Sequence, residues 1–260
     1  MDILFILFLI AVGLFAGCMS GMLGVGGGFV FAPAMFFVLQ AAGIPVDTAL
    51  LTAFGTSLAA ALPTVLTGAL SHTKQGNVVW RDALIMGFAG IITGFIGGTA
   101  ATLLPVKVLT VLFALLLIFG AIRLITALPC GEQTCMKAPL AAGIGSLAGF
   151  FSGLLGVGGG TILVPLMTML GKFPMKKAVA TSSAAIVFIT IGGIGSYLLN
   201  GYFDLPMWVI LVVTAVPAAA LSAKFSSRVP DVLLRRMFAV LMFGISLHML
   251  GVFEWILSLF

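Results

Sequence analysis

Two runs of glycine and two Thr-Ser pairs are the residues of this sequence best suited to chemistry, and that chemistry is recognition of an anion. Residues 17–33 read GCMSGMLGVGGGFVFAP and residues 149–165 read GFFSGLLGVGGGTILVP. Gly24, Gly26, Gly27 and Gly28, and then Gly156, Gly158, Gly159 and Gly160, can take left-handed backbone angles and let other groups approach closely. Each run precedes an apolar stretch. A helix starting there would aim free N–H groups and the positive end of its dipole at an anion, with no buried Arg or Lys required. Thr56-Ser57 and Thr181-Ser182 add hydroxyl donors, with Ser20 and Ser152 close to the glycine runs. A structural reading stands beside this one. Hydroxyls bond back to helical carbonyls, and Gly17-x3-Gly21 or Gly149-x3-Gly153 can serve only to let helices pack closely. The triple glycines fit that reading badly, because packing needs one small residue per turn.

The inventory gives catalysis little to work with. There are two histidines, His72 and His248, and the acids Asp2, Asp47, Asp82, Glu132, Asp204, Asp231 and Glu254 fall in or near loops or termini. No H-E-x-x-H, G-x-S-x-G or paired intramembrane carboxylate is present. Cys130 and Cys135 form a C-x4-C pair in a short loop without an accompanying histidine, a weak metal pattern that reads equally as an incidental pair. Neither a metal nor a cofactor is expected, and the chain reads as a non-enzyme.

The elements that must position these residues come in duplicate. At an offset of 132, ten of the 17 positions in the two glycine-bearing stretches are identical. At an offset of 125, Ala53, Thr56, Ser57, Ala59 and Ala60 pair with Ala178, Thr181, Ser182, Ala184 and Ala185. The same offset pairs Gly68 with Gly193, Ser71 with Ser196, and Gly76 with Gly201. The chain therefore divides into repeats at 1–130 and 131–260.

Apolar residues fill 62% of the 260 positions and charged ones 7%, against about 25% in soluble domains. Such a chain cannot cover a water-facing surface, so its solvent is lipid. The sparse net charge of +5 excludes a nucleic-acid footprint and reads as topology information. Apolar segments lie near 3–22, 29–43, 49–71, 83–104 and 108–128, then 139–155, 161–171, 178–199, 207–226 and 237–257. The stretch before Cys18 is part of the fold rather than a signal peptide, since no cation precedes it. Segments 29–43 and 161–171 are too short to cross untilted and read as broken or re-entrant helices. Pro63 and Pro217 are expected to kink their helices, Arg123 to snorkel, and Trp80, Trp208 and Trp255 to sit at interfaces.

If each glycine run forms a hairpin, eleven of twelve cations fall on one side and only Lys107 on the other. The positive-inside rule selects that arrangement. Five segments per repeat is an odd number, so the repeats must be inverted relative to each other, a transporter pattern.

These motifs resemble the sulfite-exporter family of TauE/SafE type. The resemblance rests on GMLGVGGGF with Pro33, AFGTSL at 53–58, HTKQGN at 72–77, and GLLGVGGGT and ATSS in the second repeat. It implies an all-α polytopic permease of a bacterial-type inner membrane, with sulfite, sulfonates or related organosulfur anions as substrates. Tyr197 stands where the first repeat has His72, which leaves any role for that histidine unpaired. The expected function is export of a small sulfur-containing anion. Its partners are that anion and membrane lipid, and the oligomeric state stays open. A cation pathway lined by glycine carbonyls and a non-transporting scaffold are the alternatives.

Loops 72–82, 129–138 and 224–236 are expected in the cytoplasm, with both termini opposite. Accessibility labelling of introduced cysteines tests this, and placement of 72–82 and 224–236 on opposite faces would overturn it. In that reducing compartment Cys130 and Cys135 should be free thiols.

Overall fold

The computed structural model describes residues 3–126, 135–226 and 230–249, and among them helices joined by short loops are the regular structure. The helices are α1 (Ile3–Leu23), α2 (Gly28–Ala41), α3 (Val46–Lys74), α4 (Trp80–Leu103) and α5 (Val106–Thr126). They continue with α6 (Ala138–Leu155), α7 (Gly160–Met169), α8 (Met175–Leu199), α9 (Leu205–Ser226) and α10 (Asp231–Met249). Cys130, Glu132, Arg228 and Trp255 lie outside the described residues, as do the side chains of Arg123, Arg235 and His248.

Local chemistry sets the helix boundaries. Pro45 and Pro174 stand immediately before α3 and α8, where a missing N–H costs nothing. Gly76 and Gly201 close the same two helices in the left-handed conformation, with φ of 71° and 76°. Their amides bond back to Thr73 and Leu198. Helices α1, α3, α4, α6, α8 and α9 are each long and apolar enough to cross a membrane. By contrast α2 has 14 residues and α7 has 10, short of the ~20 that a full span needs. Exposed side chains such as Leu66, Phe88, Ile92, Leu115, Val213 and Leu221 give the bundle an apolar exterior. A soluble monomer rarely tolerates so much. The chain is an integral, multi-pass membrane protein.

Helices α3 and α8 form the buried centre and run antiparallel. The loop after α3 meets α8 near its start, where the Val79 amide donates to Thr181 Oγ1 at 3.0 Å. The loop after α8 meets α3, where the Asp204 amide donates to Thr56 Oγ1 at 2.9 Å. Around this pair, α1 packs on α9 and α4 packs on α6. Both contacts are glycine-lined. Gly17 and Gly21 abut the backbone of Ala215 and Ala219, and Gly145, Gly149 and Gly153 abut Met86, Gly90 and Gly94. Lipid gives helices no hydrophobic reason to associate, so the close van der Waals approach that glycine permits is the main attraction. Gly17, Gly21, Gly149 and Gly153 thus serve packing.

One end of the bundle collects cations. Arg81 Nη1 donates to the Met136 carbonyl at 3.2 Å, and Gln75 Nε2 donates to the Ala223 carbonyl at 3.0 Å. With the Val79–Thr181 bond, these contacts bring together the helix ends that carry Lys74, Arg81, Lys137, Lys176, Lys177 and Lys224.

A methyl group at Gly153 would press into the Gly94 carbonyl, with the Gly98 amide 2.8 Å away. Gly153→Ala should therefore drive α4 from α6 and markedly lower the detergent-solubilised unfolding temperature. At Gly143, on the same helix, a methyl meets nothing within 4 Å, and Ala there should hold or gain up to about 1 kcal/mol.

Candidate functional site

The two glycine segments are brought into contact at the centre of the molecule. Helix α1 stops at Leu23 and α2 starts at Gly28; α6 stops at Leu155 and α7 starts at Gly160. A methyl on Gly28 would lie 2.6 Å from the Val157 carbonyl oxygen, and one on Gly160 would strike the Val25 backbone. Gly24, Gly26, Gly27 and Gly28 and Gly156, Gly158, Gly159 and Gly160 are all buried. Gly27 and Gly159 cap α2 and α7 with φ of 71° and 79°. An L-residue in that left-handed region costs roughly 1–2 kcal/mol. The Gly27 and Gly159 carbonyls then accept from the third and fourth residues onward, Val30 and Phe31 in one case and Ile162 and Leu163 in the other.

The serines of the two Thr-Ser pairs hold these segments in place. Ser57 Oγ donates toward the carbonyls of Phe54 (2.9 Å) and Gly156 (2.6 Å). Ser182 Oγ donates toward those of Val179 (2.9 Å) and Gly24 (3.0 Å). Each serine on a central helix thus satisfies a glycine carbonyl at the other segment, 99 or 158 residues away. With no water at membrane depth, that carbonyl would otherwise be orphaned. The sequence reading offered both hydroxyls to a ligand, but here they are engaged with backbone. Thr56 and Thr181 turn instead to the loop amides of Asp204 and Val79. As acceptors there, their hydroxyls keep a proton to donate elsewhere.

Ser20 and Ser152 differ from the others. Both are buried, at 2% and 1% exposure, and neither Oγ has a hydrogen-bond partner. Ser20 lies one turn before Gly24, whose amide donates to the Ser20 carbonyl at 2.8 Å. Ser152 Oγ is 3.6 Å from where a Gly159 side chain would begin. An unmet buried hydroxyl is costly, and here two of them stand at corresponding positions, each shortly before a glycine segment.

Three features escaped the sequence. His72, placed at a segment end, is buried in the last turn of α3, and its Nε2 donates to the Gly21 carbonyl at 3.2 Å. Tyr197 OH donates to the Gly153 carbonyl at 2.8 Å. Since Gly153 is 132 residues beyond Gly21 and Tyr197 is 125 beyond His72, the two side chains do one job with different chemistry. His72 is paired after all. Asp82, counted among the loop acids, is fully buried in the first turn of α4, and its Oδ2 accepts from the Met136 amide at 2.8 Å. Thr161, at the second position of α7, is buried with Oγ1 unpartnered. Its signal was present as a break in the repeat, because the matching residue is Phe29.

An all-helical, multi-pass bundle of this kind, with helix starts and unmet hydroxyls meeting in its core, has the build of a membrane transporter. The sulfite exporter TauE/SafE family profile matches residues 9–249, and the chain belongs to that family. A Methanocaldococcus jannaschii protein described as a probable membrane transporter is 29% identical over 254 residues, 93% of this chain and 94% of its own. A Haemophilus influenzae protein of the same description is 28% identical, covering 94% of this chain and 98% of its own. A Bacillus subtilis probable membrane transporter protein reaches 31% identity, covering 84% of this chain and 89% of its own.

Ser57→Ala and Ser182→Ala should each lower unfolding stability by about 1–3 kcal/mol, the cost of leaving a buried carbonyl without its donor. Ser20→Ala and Ser152→Ala should leave it unchanged or raise it, because no bond is lost. Thermal unfolding in one detergent compares all four. Equal losses across the set would refute the division of roles.

Proposed function

We propose that this chain exports a small sulfur-containing oxyanion, sulfite or an organosulfonate, through a site between its two glycine segments. The observation that carries the reading is the contact of the two glycine segments, with buried, unpartnered hydroxyls at Ser20, one turn before Gly24, and at Ser152, near Gly159. First-turn amides of α2 and α7 supply positive potential without a buried cation, and Ser20 and Ser152 supply directed donors. Thr56 and Thr181 retain a donor proton on the same central helices. Family membership supports transport as the activity, and sulfite is the substrate class in the family's description.

The halves 1–130 and 131–260 act as inverted repeats in this reading. What supports it is reciprocity: α1 on α9 is matched by α6 on α4, and Ser57 on Gly156 by Ser182 on Gly24. Short α2 and α7 then serve as re-entrant elements that keep irregular backbone inside protein. The buried glycine segments correspond to an occluded state, and movement of one repeat against the other opens them alternately. With the cationic end in the cytoplasm and both termini outside a bacterial-type inner membrane, the membrane potential favours anion export. It contributes about 2.3 kcal/mol per charge per 100 mV. A cation pathway would need free glycine carbonyls, whereas those of Gly24 and Gly156 accept from serine.

Proteoliposomes carrying the protein should pass radiolabelled sulfite and not alkali cations. Ser20→Ala and Ser152→Ala should each weaken sulfite binding by about 0.5–1.5 kcal/mol, and Gly27→Val or Gly159→Val should abolish flux. Normal sulfite flux in the Gly27→Val, Gly159→Val double variant would end the reading.

A further inference from the structure

The two central helices finish in the same way at opposite ends of the bundle. His72 is the last buried residue of α3, and Tyr197 is the last buried residue of α8. Exposed positions follow, Lys74 on α3 and Leu198 and Leu199 on α8. Because α3 and α8 run antiparallel, His72 lies at the cationic end, close in the chain to the Gln75–Ala223 contact, and Tyr197 lies at the other. Each is the first buried polar side chain met on the way in along its helix.

The carbonyls they hold are a special pair. Gly21 and Gly153 stand three residues before Gly24 and Gly156, which are left-handed with φ of 65° and 66°. In an unbroken helix these carbonyls would accept from the amides of Val25 and Val157, four residues on. The left-handed turn carries those amides away, and among the described residues no backbone amide replaces them. Both carbonyls are helix-end orphans. His72 Nε2 donates to one at 3.2 Å, and Tyr197 OH donates to the other at 2.8 Å. The serines and threonines of the Thr-Ser pairs are identical in the two repeats, whereas here an imidazole matches a phenol. What the position keeps is a donor, not a shape. Water can also serve an orphan carbonyl, so these two bonds can be exchanged for hydration without unwinding a helix.

We infer that His72 and Tyr197 are the positioning residues of two opposed gates. The His72–Gly21 bond closes the core toward the cationic face, and the Tyr197–Gly153 bond closes it toward the opposite face. Either end opens when water takes the place of the side chain at its carbonyl. The inference rests on the alternating-access reading above and names the contacts that alternate.

Sealed vesicles carrying the full chain, with Cys18, Cys130 and Cys135 replaced by alanine, test it. Ser20→Cys and Ser152→Cys serve as separate reporters, each exposed to a membrane-impermeant maleimide from one face at a time. In the parent both should react slowly from either face. His72→Leu removes the donor, and the Ser20→Cys reporter should then react at least about fivefold faster from the cationic face, the scale of one lost buried hydrogen bond. From the other face its rate should not change. With Tyr197→Phe, the Ser152→Cys reporter should accelerate from the opposite face alone. His72→Tyr and His72→Gln each return a donor, and at least one of them should restore slow reaction. General loosening of the bundle would speed labelling from both faces, and that result overturns the inference. So does acceleration from the same face in both variants, acceleration in neither, or failure of both donor-bearing variants to restore protection. Sulfite flux through the reporter-free chain separates this from the transport reading. Sided labelling without flux leaves the gates standing and removes the transport reading, and flux without sided labelling does the reverse.

Discussion

Everything in this molecule answers to one constraint: backbone N–H and C=O groups at membrane depth must find partners without water. Long helices meet it internally. The segments at 24–27 and 156–159 cannot, because a glycine in the left-handed conformation interrupts the ladder. Their carbonyls are met from outside by Ser57 and Ser182, each reaching across from a central helix. The serines therefore tie each glycine segment to a central helix from the other half of the chain.

Glycine has two separate uses here, and the geometry distinguishes them. On α1, α4 and α6 it removes side chains so that helices touch backbone to backbone, as with Gly21 on Ala219 and Gly149 on Gly90. Packing of that kind holds a bundle together in lipid without occupying any polar group. At Gly27 and Gly159 the requirement is conformational, because the helix must start from a left-handed cap. The first use makes the scaffold stiff. The second leaves a polar, irregular stretch in its middle, supported by the scaffold yet not continuous with it.

Matched parts with unmatched chemistry give the core its asymmetry. His72 and Tyr197 hold corresponding carbonyls, but only one of them is a histidine. Phe29 and Thr161 occupy corresponding buried places at the starts of α2 and α7, but one is an aromatic ring and the other carries a hydroxyl. A duplicated frame keeps its geometry through backbone and glycine contacts, which constrain few side chains. Substitutions next to those contacts are then free to differentiate one side from the other.

The sequence by itself determined the solvent, the helices and the duplication. A chain with so few charges must face lipid, nine of the apolar segments coincide closely with helices while the tenth, expected at 237–257, has its helix at Asp231–Met249, and the glycine and Thr-Ser motifs stand out by recurrence. These are local or compositional properties, and a reader of the string has all the information they need. Tertiary structure decided what each polar group does. In one Thr-Ser pair the serine turned to a glycine carbonyl and the threonine to a loop amide, and the same division recurs in the other pair. Ser20, Ser152 and Thr161 were left without partners, and Asp82, a loop acid by its position in the chain, was buried against the Met136 amide. Spacing along the chain could not foretell this. A hydroxyl's partner is set by which backbone lies within about 3 Å, and here that backbone comes from the far half of the chain.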